Sequence, residues 1–165
     1  MADAELATAE GYFYSGGYKD AKIFAARGYD LIVVARTEKH LKNLHKHLSP
    51  LVTVTDIAMD LSAPGAGAKL FAKTKKLKLE VDVLVNNAGF GTNGEFVSLD
   101  LKRELQETDL NIRVLTELCH LYGAEMVKRK EQKTGRPCFL QGGILHAVSD
   151  ASLATMVALD DQGSG

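Results

Sequence analysis

Val81-Asp82-Val83-Leu84-Val85-Asn86-Asn87-Ala88-Gly89 is the stretch on which the fold turns. Its first five residues form a short β-branched run. Runs apolar on both faces suit parallel strands buried between helix layers. The four residues that follow are turn chemistry, two asparagines and then alanine and glycine. Upstream, Leu31-Ile32-Val33-Val34-Ala35 is a continuous strand run, and Leu51-Val52-Thr53-Val54-Thr55-Asp56-Ile57-Ala58-Met59 is a partly alternating one. Downstream, Ile144-Leu145-His146-Ala147-Val148 is a weaker candidate.

Amphipathic stretches lie between the runs. Residues 21–27 are helical in composition and stop at Gly28, a good helix terminator. Thr37 is placed to cap a helix carrying Leu41, Leu44 and Leu48 on one face. Ser62, with Pro64 two residues later, reads as another start, running through Leu70 and Phe71. The longest helix follows Ser98, with an expected apolar stripe of Leu101, Leu105, Thr108, Ile112, Leu115, Cys119, Tyr122 and Met126. Strands alternating with helices predict an α/β fold, a doubly wound parallel sheet with helices on both faces. A central first strand should be rich in valine and isoleucine. The only candidate, Glu5-Leu6-Ala7-Thr8-Ala9, favours helix instead.

The 165 residues, 45% hydrophobic and 25% charged, fit a single globular domain over residues 1–165. A net charge of −1 gives no bulk electrostatic case for nucleic acid or an anionic membrane. No apolar run reaches the ~20 residues of a membrane span, and the N-terminus lacks the pattern of a signal peptide. Cys119 and Cys138 make no disulfide framework and fit a reducing cytoplasm. His40, His45 and His47 share a helix, but no cysteine or carboxylate set completes a metal site. The run Lys69, Lys73, Lys75, Lys76 and Lys78 lacks aromatics and reads as a solvated helix end.

Three segments carry chemistry. Gly11-Tyr12-Phe13-Tyr14-Ser15-Gly16-Gly17 opens the first helix. Glycines at such a turn let backbone approach a pyrophosphate, although an ordinary glycine turn reads the same way. Arg36 ends the second strand, where dinucleotide folds place either an acid for a ribose 2′-hydroxyl or an arginine for a 2′-phosphate. The arginine favours NADP over NAD, and a solvated helix-start arginine is the plainer alternative. Asp60-Leu61 and Asn86-Asn87-Ala88-Gly89 end the next two strands, where ligands of open α/β sheets sit.

Two of these stretches, Asp82-Val83-Leu84-Val85-Asn86-Asn87-Ala88-Gly89-Phe90-Gly91 and Ala26-Arg27-Gly28-Tyr29-Asp30-Leu31-Ile32-Val33-Val34-Ala35-Arg36, resemble the short-chain dehydrogenase/reductase family. Leu110-Asn111-Ile112-Arg113 resembles the helix that bears the family's active-site asparagine. The likeness runs from about residue 21 to residue 127. It implies a Rossmann-type fold and an NAD(P)(H)-dependent oxidoreductase acting on a small-molecule alcohol or carbonyl, with Arg36 favouring NADP(H). Gly11 and Gly17 match the first and last glycines of the family's fingerprint, with Ser15 in place of the middle one and Glu10 in place of threonine. Gly11, Ser15, Gly17, Arg36, Asp60, Leu61, Asn87, Ala88 and Gly89 are the implied cofactor residues.

The implied catalytic residues are Asn111 and Ser149, the latter if residues 142–149 form the next strand. A competing register, Gly135-Arg136-Pro137-Cys138-Phe139-Leu140, puts no serine in place, and Pro137 is unsuited to a central strand. The family's Tyr-x-x-x-Lys pair should follow the serine, yet no tyrosine or lysine occurs after Ser149. Tyr18-Lys19-Asp20-Ala21-Lys22 has that spacing but lies on the first helix. The expectation is therefore a truncated member of the family, incomplete at its C-terminus, with impaired or no turnover. The alternative is a non-catalytic nucleotide-binding or protein-interaction module of the same ancestry. Incomplete helix cover would favour a homo-oligomer.

Overall fold

The computed structural model describes residues 17–130, 138–141 and 155–159. Its elements, in chain order, are α1 (Gly17–Ala26), β1 (Asp30–Ala35), α2 (Glu38–Leu48), β2 (Val54–Ala58), α3 (Ala66–Lys76) and β3 (Val83–Asn86). A 3-10 turn (Phe96–Ser98), α4 (Leu101–Thr108), a π-helical segment (Asp109–Val114), α5 (Leu115–Lys130), β4 (Cys138–Gln141) and β5 (Thr155–Leu159) follow. No helix among the described residues is long and apolar enough to cross a membrane.

The sheet's two faces follow from alternation along β1. Leu31, Val33 and Ala35 pack with Val83 and Val85 against Phe24 and Ala25 of α1 and Leu41, Leu44 and Leu48 of α2. Ile32 and Val34 point the other way, with Ile57 and Leu84, onto Leu70 of α3 and Leu118, Tyr122 and Met126 of α5. Helices thus cover both faces, which is why β1 has no polar side in its buried run. Each fully buried leucine or isoleucine here stabilises the fold by about 1.5–3 kcal/mol.

The strand order is β2-β1-β5-β3-β4. β1 pairs β2 in parallel, Leu31 opposite Val54 and Val34 opposite Ile57. β3 pairs β4 in parallel, Val83 opposite Cys138. β5 joins the two halves and runs antiparallel to both, Ile32 and Leu84 each facing Val157. The doubly wound frame is as expected, but the sheet is not wholly parallel. Its centre is filled by the last strand of the chain. The expected first strand, residues 5–9, lies outside the described residues.

Several local expectations change. The strand after α5 takes the register that Pro137 was held to oppose. Pairing begins at Cys138 and β4 closes one side of the described sheet, so the ladder asks for no N–H from the proline. Residues 142–149, the preferred strand, lie outside the described residues. Thr37 stands at the N-cap of α2 without a side-chain cap bond. α3 starts at Ala66 rather than near Ser62, after Gly65 in the left-handed region (φ 69°). Ser62 turns back instead, donating from N and Oγ to Asp60 Oδ1 (3.0 and 2.7 Å).

The expected stripe of the long helix is only half right. Leu101, Leu105 and Ile112 are 67%, 57% and 62% exposed, whereas Leu110, Val114, Leu118, Tyr122 and Met126 are buried. Those buried residues recur every four positions, too slowly for about 3.6 residues per turn. The π segment Asp109–Val114 widens the helix where the phase must slip. Upstream of it, the inward face is not the one a uniform α-helix would present.

Candidate functional site at the carboxyl ends of the strands

β1, β2 and β3 all end on one edge of the sheet, and their exits carry the expected residues. Arg36 follows β1 and is exposed. The neighbouring exit is held close, since Met59 N–H donates to Ala35 O (3.0 Å). Asp60 comes next, its carboxylate anchored by Ser62, while Leu61 is buried. Two short bonds to one oxygen fix the Asp60 carboxylate on the strand exit in an Asx-type turn. Asn87, Ala88 and Gly89 leave β3, each half-buried. Gly17 is the first residue of α1. Gly11, Ser15 and Ser149 lie outside the described residues.

Asn111 is brought to the β3 exit by the π segment. Its Oδ1 accepts from Phe90 N–H (3.2 Å) and its Nδ2 donates to Phe90 O (2.7 Å). The side-chain amide and the N–H and C=O of one residue form a closed pair of bonds. Gly89 is the residue that allows this approach. A Cβ there would stand 3.0 Å from Asn111 Oδ1, tighter than ordinary packing. Phe90 is itself buried, with the Arg103 guanidinium 3.9 Å above its ring. The turn after β3 is therefore held by its backbone and its aromatic face.

Other positioning contacts escaped the sequence reading. Asn86 Nδ2 donates to Cys119 Sγ (3.2 Å), tying the end of β3 to α5. Thr92 is bracketed by two carboxylates of α4. Its N–H donates to Glu107 Oε2 (2.9 Å), and its hydroxyl faces Glu107 Oε2 (3.0 Å) and Glu104 Oε1. A hydroxyl has one proton to give, so it serves one carboxylate at a time. The i, i+3 spacing of Glu104 and Glu107 was the available signal, since it places both on one helix face. Among the described residues, no group of three His, Cys, Asp or Glu side chains could hold a metal ion.

A family model for short chain dehydrogenase matches residues 15–137. The chain belongs to the short-chain dehydrogenase family. It is 30% identical over 96 residues to an uncharacterized oxidoreductase of Schizosaccharomyces pombe, covering 58% of this chain and 30% of that protein. A short-chain dehydrogenase from Sphingobium yanoikuyae, solved in complex with NADPH, superposes with TM-score 0.62 at 27% identity. That match covers 78% of this chain and 50% of the other. The bulky-bulky ketone specific alcohol dehydrogenase from Comamonas testosteroni gives TM-score 0.61 at 27% identity, covering 70% and 47%. The chain thus spans about a third to a half of the length of these relatives. The sheet edge with Arg36, Asp60 and the turn after β3 lies within the residues that match this family.

Proposed function

We propose that the chain is an NADP(H)-dependent oxidoreductase of short-chain dehydrogenase type, acting on a small alcohol or carbonyl, with little or no turnover in its 165-residue form. The observation that carries the cofactor choice is Arg36, an exposed guanidinium at the exit of β1 with Ala35 before it and Thr37 after it. Guanidinium donors match phosphate oxygens in pairs, and neither residue flanking Arg36 in the chain is an acid. Ala88 keeps a small side chain beside the sheet edge, where a flat ring would lie. Bound there, NADP(H) would supply the hydride. Arg36 would hold the 2′-phosphate, Asp60-Leu61 would border the adenine side, and Asn87-Ala88-Gly89 would line the sheet edge. The glycine turn of Gly11, Ser15 and Gly17 would meet the pyrophosphate.

The low turnover rests on Asn111, the proposed active-site asparagine, whose Oδ1 and Nδ2 are both engaged by Phe90. That engagement also favours the second reading, a nucleotide-binding module without chemistry. The two separate in one experiment, a fluorescence titration of the purified chain with NADPH followed by assay on a panel of ketones. Binding with turnover at ordinary enzyme rates would remove the low-turnover reading, and binding without turnover supports it. Arg36→Ala should weaken NADPH by about tenfold while leaving NADH unchanged. Equal losses for both nucleotides would remove the 2′-phosphate assignment.

The same proposal places the chain as one domain in a reducing, cytoplasmic setting, consistent with the free thiol of Cys119. It also takes it to self-associate, supported by exposed Phe96, Val97, Leu101, Leu105 and Ile112. A monomer mass by light scattering would remove the last point.

A further inference from the structure

The chain has five asparagines, and Asn93 stands apart from the rest. Asn43 lies within α2, where helical hydrogen bonding fixes its backbone. Asn86 ends β3, is buried and donates to Cys119 Sγ. Asn87 is half-buried in the turn that follows, and Asn111 is closed on Phe90. Asn93 is exposed, outside any helix or strand, and glycine follows it. Among the described residues, no hydrogen bond reaches the Asn93 amide or Gly94 N–H. The other asparagines precede Leu44, Asn87, Ala88 and Ile112. A side chain there obstructs attack by the next backbone nitrogen on the asparagine's side-chain carbonyl carbon, and glycine leaves that path open. The fold keeps glycine at this position. Gly94 has φ 152°, which side chains rarely adopt, and a Cβ would stand 3.0 Å from Leu99 Cδ2.

Both neighbours of the pair are anchored. Thr92 N–H donates to Glu107 Oε2, and its hydroxyl meets Glu104 and Glu107 of α4. Glu95 opens the 3-10 turn, its C=O accepting from Ser98 N–H (2.8 Å). Asn93-Gly94 is thus a short bridge between fixed ends. We propose that Asn93 is a site of spontaneous covalent modification to aspartate and isoaspartate, and that isoaspartate loosens the join between the β3 turn and α4. Gly94 N gives up its proton and bonds to Asn93 Cγ, the Cγ–Nδ2 bond breaks, and ammonia leaves. Water then opens the resulting succinimide. Cleavage at Cγ gives aspartate, and cleavage at the main-chain carbonyl gives isoaspartate. Nothing is oxidised or reduced. Either product puts a new carboxylate next to Thr92, whose partners are already two carboxylates, and like charges so placed repel. Isoaspartate also routes the chain through Cβ and Cγ, adding one backbone atom between Thr92 and Glu95. A short bridge between fixed ends has little room to absorb it, so the bonds from Thr92 to α4 give way.

Incubating the purified 165-residue chain in mildly alkaline buffer tests the site, with fragmentation mass spectrometry that separates isoaspartate from aspartate. Isoaspartate at residue 93 should form at least about tenfold faster than at any other asparagine, in the folded chain and not only in urea. Asn93→Gln lengthens the side chain, disfavours ring closure and should stop the reaction. Hydrogen exchange over residues 90–98 should be at least about threefold faster in the isoaspartate form than in fresh chain, and unchanged in incubated Asn93→Gln. Freshly purified Asn93→Asp carries the charge without the extra backbone atom and should fall between the two. No lead for residue 93 in the folded chain overturns the site. Unchanged exchange in the isoaspartate form, or an equal rise in Asn93→Asp, overturns the loosening assigned to the longer backbone.

Discussion

Asn111 turns both ends of its amide to one residue, and that is its clearest physical role. Phe90 N–H and C=O would otherwise face a half-buried turn without those partners, and unmet polar groups there cost about 1–3 kcal/mol. Asn111→Ala should therefore lower unfolding stability by about that amount in a denaturant titration, without changing its slope. A loss within about 0.5 kcal/mol would show that water replaces the amide without cost. Asn111 was legible in the sequence through the resemblance of Leu110-Asn111-Ile112-Arg113 to the family's asparagine-bearing helix. Its engagement with Phe90 was not, because periodicity does not show that the helix widens at Asp109–Val114 and so brings this residue to the turn. Arg36, Asp60 and Gly89 were legible for a simpler reason. They sit directly after buried runs, and strand exits of one sheet share an edge.

Between elements, α3 and α5 are fastened by partners about fifty residues apart. Glu117 Oε1 on α5 accepts from Ala68 N–H (3.0 Å) in the first turn of α3, and a Cβ at Gly67 would lie 2.4 Å from the same carboxylate. The carboxylate thus does for α3 what its N-cap residue, Gly65, has no side chain to do. Glu117→Ala and Gly67→Ala should each cost about 1 kcal/mol, and the double variant little more than one alone, because either change removes the same contact. Full additivity in a double-mutant cycle would refute the shared contact. Further along the same pair, Lys75 Nζ donates to Glu125 Oε2 (2.7 Å), which lowers the Glu125 pKa. Tyr122 is buried beneath them with its hydroxyl 2.9 Å from Thr74 Oγ1. Burial raises its phenol pKa, and the Thr74 bond opposes this only in part. The folded state then holds the proton more tightly than the unfolded chain does. Stability present below about pH 10 should be lost as pH rises beyond it. Tyr122→Phe should flatten that alkaline decline in melting temperature, and an unchanged slope would place its cause elsewhere.

For the whole molecule, the sequence reading found the α/β class, three of the strands and both helix layers, because Leu31–Ala35 alternates between two apolar cores. It missed the centre of the sheet. The antiparallel placement of Thr155–Leu159 depends on a pairing between distant segments, and no local pattern records which way a short apolar run will point. That placement has a consequence for how the protein is made. β1–β2 and β3–β4 are synthesised before β5, and among the described residues no other strand joins one pair to the other. Pairings between distant segments form slowly, because a long loop must close before any contact rewards it. Nascent chains arrested before residue 155 should thus be cut by protease between β2 and β3, and chains released after it should resist. Resistance at both lengths would mean that another segment holds the halves together first. For the interval of synthesis between β4 and β5, the inner edges of β1 and β3 stay open, and it is then that the growing chain is most exposed to pairing with a neighbour.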